Sequence, residues 1–237
     1  MRLDILTLFP EVFAPLFASI PARAQAAGAV AVHLHNLRRW GVGRHRQVDD
    51  QPYGGGPGMV LMPGPLFQAT EAIRSMDEPA PRVLLMSPQG PVLNQESVFR
   101  LAREPRLLLV CGHYEGLDER YREAMVDEEV SLGDYVLSGG ELAAMVVADA
   151  VIRVLPGVIE PESVQQDSFA HGLLDHPHYT RPAVIRGREV PSVLTSGNHE
   201  SIRRWRRQQA LLRTRERRPD LLARANLSPE DRQLLRG

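Results

Sequence analysis

Short apolar runs separated by segments of helical spacing constrain this chain more than any other feature. The runs are Leu3–Phe9, Val30–Leu34, Arg82–Met86 and Leu107–Val110. They read as buried strands, short and continuously apolar where a half-exposed strand would alternate in polarity. Between them Pro65–Met76, Asn94–Arg103 and Asp118–Val126 carry helical spacing, and a longer helix, Glu141–Leu155, is stopped by Pro156 and Gly157. Alternation of strand and helix predicts an α/β fold with a largely parallel sheet.

The rest of the chain differs in kind. Gly157–Pro182 is rich in prolines, histidines and polar residues without periodicity and reads as a linker. Beyond Asn198 the spacing turns helical, over His199–Arg215, Pro219–Ala225 and Pro229–Leu235, with Asn198 and Ser228 as N-caps. The expected organisation is an α/β domain over 1–158, a linker over 159–182 and a small helical basic domain over 183–237.

Charge divides along the same line. Residues 1–198 hold 17 arginines against 24 acidic residues, whereas residues 199–237 hold 11 against 5. A net −7 joined to a net +6 places a polyanion against the C-terminal piece. Eight arginines fall within Arg203–Arg218, and arginine both contacts phosphates and stacks on unpaired bases. The chain contains no lysine, which excludes a phosphate-loop lysine, a Schiff base and a lysine general base. A single cysteine, Cys111, excludes an intrachain disulfide and fits a reducing compartment. The N-terminal run contains Asp4 and no small-residue cleavage site, and Leu142–Leu155 is too short to span a bilayer. The expectation is a soluble cytoplasmic protein with no membrane partner.

Three glycine-bearing turns follow expected strands: Ser87–Gly90, Gly112–Gly116 and Ser131–Gly140. In an open α/β sheet, ligands sit beyond the carboxyl ends of the strands, and glycines there let backbone N–H groups approach them closely. None of the three matches a dinucleotide or triphosphate loop. The breaker cluster from Asp49 through Gly54, Gly55, Gly56 and Gly58 reads as a flexible loop open to a flat base or ribose. His171, Asp175, His176 and His178 are metal-ligand types, but their spacing matches no zinc pattern, so no metal site is assigned. Asp149 and Arg153 stand four apart, for which an intrahelical ion pair is the simplest account.

Taken together, the segments LTLFPEVF, VDDQPYGGGPGM, SPQG, GHYEGLDER, SLGDYVLSGGELAAM, QDSFAHGLLDHPHYTRP, TSGNHESIRRWR and RRPDLL closely resemble the bacterial tRNA (guanine-N1)-methyltransferases, the TrmD type of the SPOUT class. The resemblance runs from residue 3 to residue 222. It implies an α/β domain with a deep trefoil knot, a small all-α C-terminal domain, and a homodimer with active sites at the interface. It implies S-adenosylmethionine held by Met86, Ser87, Pro88, Gln89, Gly112, Tyr114 and Glu115. Leu132, Gly133, Asp134, Tyr135, Val136, Leu137, Gly139 and Gly140 would complete that pocket.

The same resemblance implies methylation of N1 of the guanine immediately 3′ of the anticodon, position 37 of tRNA. Asp167 would be the general base, and Arg153 would stabilise charge on O6. Asp50, Gly58, Arg203, Arg204, Arg206 and Arg207 would contact tRNA. A dependence on Mg²⁺ is implied as well, with no residue to locate the ion. The family usually has arginine where this chain has His113, which is expected to alter a contact near the donor turn, and proline where it has Ala143. A non-catalytic RNA-binding protein and an rRNA-directed enzyme of the same class remain as rivals, separated by donor binding and by substrate.

Overall fold

The computed structural model describes residues 1–236 and falls into two compact units, Met1–Ile159 and the chain from Glu160 onward. In the first unit the strands are β1 (Arg2–Thr7), β2 (Ala31–Asn36), β3 (Asp49–Asp50), β4 (Val60–Leu61), β5 (Arg82–Met86), β6 (Arg106–Cys111) and β7 (Glu128–Val130). The helices are α1 (Ser19–Ala26), α2 (Pro63–Arg74), α3 (Gln95–Leu101), α4 (Glu119–Met125) and α5 (Glu141–Arg153). Five strands form one parallel sheet in the order β2-β1-β6-β5-β7.

Alternate residues of the central strands enter opposite cores. Leu3 and Ile5 of β1, Leu84 and Met86 of β5, and Leu107 and Leu109 of β6 pack with α1, α3 and α5. Leu6, Val83, Leu85, Leu108 and Val110 face the other way, onto α2 and α4. The three central strands, covered on both faces, have no solvated side to mark with polar residues, which is why they read as continuous apolar runs. At the edge, β2 is not the buried strand its apolar run predicts, since Ala31 and His33 are exposed.

The second apolar face also buries a charge. Asp4 is fully buried and accepts from Arg2 at 2.9 Å, from Arg106 Nε at 2.9 Å and from His35 Nε2 at 2.7 Å. Arg106 donates onward to the carbonyls of Ile73, at 2.5 Å, and Asp77. Every member is hydrogen-bonded, the condition under which a buried ion pair is tolerated. His35 thus has a structural role, as its place on a strand suggests.

From Glu160 the chain forms α6 (Pro161–Gln166), a hairpin of β8 (Val184–Ile185) and β9 (Arg188–Glu189), α7 (Ser192–Thr195), α8 (His199–Arg217), α9 (Pro219–Arg224) and α10 (Pro229–Leu234). The hairpin corrects the all-α expectation for this part. Arg186 and Gly187 both have positive φ, 52° and 73°, as tight hairpin turns require. The stretch without periodicity is ordered too: it contains α6, and its Leu173 joins Leu211 and Leu234 in a small core. Asn198 caps α8 by accepting from Ser201 N–H, and Ser228 and Asp231 form a capping box on α10. No helix among the described residues is long and apolar enough to cross a membrane.

Candidate functional site

Register decides where the glycine turns go. Met86 pairs with Cys111 on one side and with Val130 on the other, so β6, β5 and β7 end level with one another. The three turns therefore emerge side by side around one cleft of about 270 Å³. Segment 131–140 begins beside β7 but ends against β6. Ser131 pairs with the chain after β5, Leu93 N–H donating to its carbonyl at 2.8 Å, and Gly140 N–H donates to Gly112 O at 2.7 Å. The segment thus crosses in front of β5. Gly140 permits the close landing: a Cβ there would lie 2.8 Å from Cys111 Cα.

Most residues expected to hold a donor line this cleft: Met86 through Gln89, Gly112, Tyr114, Glu115, Leu132, Tyr135, Val136, Leu137, Gly139 and Gly140. Gly133 and Asp134 lie in the crossing segment but do not line it. Gly133 adopts φ +150° and lets the Tyr135 ring approach closely. The structure adds Glu119 and Arg122 from α4, Glu129 from β7 and Ala143 from α5. Tertiary packing alone brings these in; Glu129 precedes its turn on a strand the hydrophobic pattern does not reveal. His113 joins the lining, its ring 5.2 Å from Phe9 and 4.9 Å from Tyr114.

The breaker cluster is tied to one wall of the cleft. Strands β3 and β4 pair as a ribbon, with Asp50 opposite Val60. Leu61 N–H donates to Gly116 O at 2.9 Å, and Glu115 N–H donates to Met59 O at 3.0 Å. Gly58 lies against the Glu115 side chain, whereas Asp50 is exposed and accepts from Gln51 N–H. Arg153 ends α5.

In the second unit Asp167 caps the end of α6 and lines a cavity of about 510 Å³ with His171, His199, Arg203, Arg206 and Arg207. Its loop is anchored to α8, since Leu174 N–H donates to the buried Thr214 hydroxyl at 2.9 Å. Arg204 is exposed beside the cavity. Arg207 is committed in part to structure: it grips Asp231 through both oxygens at 2.7 and 2.9 Å. That guanidinium, above all, holds the Asp231 carboxyl down at about 2.

Among the described residues Asp175, His176 and His178 form the one group whose ligand atoms lie close enough to share a metal. Burial pushes the Asp175 carboxyl up, but hydrogen bonds outweigh it and hold it below the usual range. Two imidazoles and one carboxylate do not suit Mg²⁺, which prefers an all-oxygen octahedron.

Comparison with known proteins decides the family. The sequence profile described as tRNA (Guanine-1)-methyltransferase TrmD matches residues 1–224. The chain is similar to the tRNA (guanine-N(1)-)-methyltransferase of Moorella thermoacetica, with 60% identity over 99% of this chain and 95% of the relative. The proteins of that name from Chloroflexus aggregans and Chloroflexus aurantiacus are each 59% identical over 95% of this chain and 89% of theirs. The chain belongs to the TrmD family of tRNA (guanine-1)-methyltransferases. Membership in the TrmD family spans both units, the glycine-lined cleft and the arginine-rich helix α8 alike.

Proposed function

We propose that this chain transfers a methyl group from S-adenosylmethionine to N1 of guanine 37 in tRNA. The observation that carries the proposal is the level ending of β6, β5 and β7, which gathers three glycine turns around one cleft in a member of this family. A ligand between these turns meets backbone N–H groups, the apolar surfaces of Leu132 and Val136, and the carboxylates of Glu115 and Glu129. That mixture fits a molecule with a ribose, an adenine and a cationic end. The donor supplies an electrophilic methyl on sulfur. Segment 131–140, crossing in front of β5, supports the reading that this fold carries the trefoil knot of its class.

The protein must supply the rest. Guanine N1 carries a proton at neutral pH and is a poor nucleophile until that proton leaves. Asp167 takes it as general base, a contribution of about 10²–10⁴-fold. Negative charge then moves onto O6, where the Arg153 guanidinium stabilises it. The cleft holds the methyl in line with N1. Arg203, Arg204 and Arg206 on α8, with Asp50 and Gly58, contact the tRNA, and the target base leaves its stack so that its Watson–Crick edge is reached. No step is assigned to Mg²⁺.

A homodimer is part of the proposal. Leu142 and Val146 lie one turn apart on α5 with 51% and 47% exposure, and the 3₁₀ segment Pro10–Phe17, which packs on that helix, exposes Val12 and Phe17. A second copy covers this apolar strip. The test of function is mass spectrometry of anticodon-loop nucleosides after incubation with S-adenosylmethionine and unmodified tRNA. N1-methylguanosine at position 37 is expected; its absence overturns the proposal.

A further inference from the structure

Beneath the cleft, at the point where two of its turns meet, lies a polar pair with no part in the chemistry above. Glu141, the first residue of α5, is 6% exposed. One of its oxygens accepts from the Thr7 hydroxyl at 2.9 Å. The other faces His113 Nδ1 at 3.8 Å, and that nitrogen is buried with no hydrogen-bond partner among the described residues. At 3.8 Å the two atoms are too far apart for a hydrogen bond and near enough for charge to act.

The backbone around the pair is part of the donor wall. His113 and Gly139 form an isolated antiparallel bridge between the two turns. A Cβ on Gly139 would lie 2.5 Å from His113 Nδ1 and would also collide with the Glu141 carboxylate. Gly139 is thus kept bare by these two side chains, and their separation sets how closely the turns approach. The other titratable groups facing the pair are Cys111 at the end of β6, whose thiol burial keeps protonated, and Tyr114 on the same turn.

We propose that Glu141 and His113 are positioning residues for the methyl donor, acting as a proton-linked clasp. Protonated His113 draws onto Glu141, satisfies Nδ1 and holds the turns 112–116 and 131–140 at the spacing the donor needs. Loss of that proton leaves a buried, uncompensated carboxylate and relaxes the wall. Only the protonated imidazole can serve Glu141 in this way, so donor affinity in this chain falls as pH rises. The inference rests on the cleft being the donor site.

The test is calorimetric titration of the full chain with S-adenosylmethionine between pH 5.5 and 8.5, together with donor KM and kcat. Each unit of coupling between protonation and binding is a tenfold change in affinity, and a loss of about five- to tenfold across the range is expected. The donor's own amino group titrates near 8 and affects every variant alike, so ratios to wild type isolate the clasp. Glu141→Gln keeps the Thr7 bond but not the charge, and should bind weakly at all pH values, its affinity relative to wild type rising about five- to tenfold from pH 5.5 to 8.5. His113→Arg, permanently charged, should retain tight binding at pH 8.5. Both should move KM far more than kcat. A wild-type profile no steeper than that of Glu141→Gln overturns the clasp while leaving the donor site intact. Absence of wild-type binding at every pH overturns the donor reading and the clasp with it.

Discussion

Gly58 has no room for a side chain because Glu115 occupies the space: a Cβ there would lie 2.5 Å from Glu115 Oε1 and 2.6 Å from its Cγ. Gly58 also sits at φ +79°, where a side chain is strained whatever its surroundings. Because Glu115 lines the cleft, the ribbon loop sets the position of a carboxylate in the proposed donor site. Gly58→Ala should lower stability by about 1–2 kcal/mol and weaken donor binding several-fold. Adding Glu115→Ala should recover part of the stability and none of the binding. Urea unfolding and calorimetry on the single and double variants check this. Equal stability losses with and without Glu115 would leave only backbone strain.

The general base is tested by an isosteric change. Asp167→Asn should leave donor affinity unchanged and reduce single-turnover methylation by about 10²–10⁴-fold. Arg153→Ala should likewise spare donor affinity while lowering the rate, since its role begins when charge reaches O6. Single-turnover rates at saturating tRNA separate these effects from binding. A retained rate in Asp167→Asn would remove that carboxylate from the mechanism.

Legibility followed burial. Strands β1, β5 and β6 were readable because burial on both faces makes them continuous apolar runs. Strand β7 was not: it is Glu128, Glu129 and Val130, and only Val130 is buried. Glu128 is held by Arg82 and Arg100, partners 46 and 28 residues away that no local pattern reveals. The turns of the cleft could be placed at strand ends, but Arg122 and Ala143 reach it from helix faces that only the packed fold brings round. Arg207 shows the same limit in reverse. It reads as one more arginine on a basic helix, yet its bond to Asp231 joins residues 24 apart.

The buried carboxylate of Asp4 gives the first unit a definite acid limit. Burial alone would raise its pKa, but bonds from His35, Arg2 and Arg106 outweigh that and hold it well below the usual carboxylate range. The folded state therefore binds this proton less readily than the unfolded chain does. The resulting stability is fully present above about pH 4 and is lost as pH falls below that value. Asp231, held at about 2, acts in the same direction in the second unit. Asp4→Asn should cost about 3–5 kcal/mol, because Arg106 is left buried without its counter-charge. Urea unfolding at pH 7 and pH 3 should show the gap between variant and wild type narrowing in acid.

The exposed strip on α5 predicts the assembly. Val146 is separated by one helical turn from Leu142, and neither contributes to the core that Ala143, Ala144, Val147 and Ala148 fill on the opposite side. Val146→Arg should therefore leave the fold intact while placing a charge in the contact between copies. Sedimentation should show a dimer for wild type and a monomer for the variant, with methylation lost alongside. An unchanged dimer would move the interface elsewhere.

Helix α8 offers arginines of two kinds, and salt distinguishes them. Arg203 and Arg206 are exposed at the cavity that Asp167 lines, whereas Arg207 is held by Asp231. An arginine that neutralises a phosphate releases counterions, so each such contact adds a little under one unit to the slope of log affinity against log salt. Arg203→Ala and Arg206→Ala should each weaken tRNA binding and flatten that slope by about 0.7–0.9, leaving thermal stability unchanged. Arg207→Ala should behave differently, lowering stability by about 2 kcal/mol through loss of its charged hydrogen bonds to Asp231. Filter binding across a salt series, beside thermal unfolding, separates the two behaviours. If Arg207→Ala flattened the slope as much as its neighbours and left stability untouched, the division of labour along α8 would be wrong.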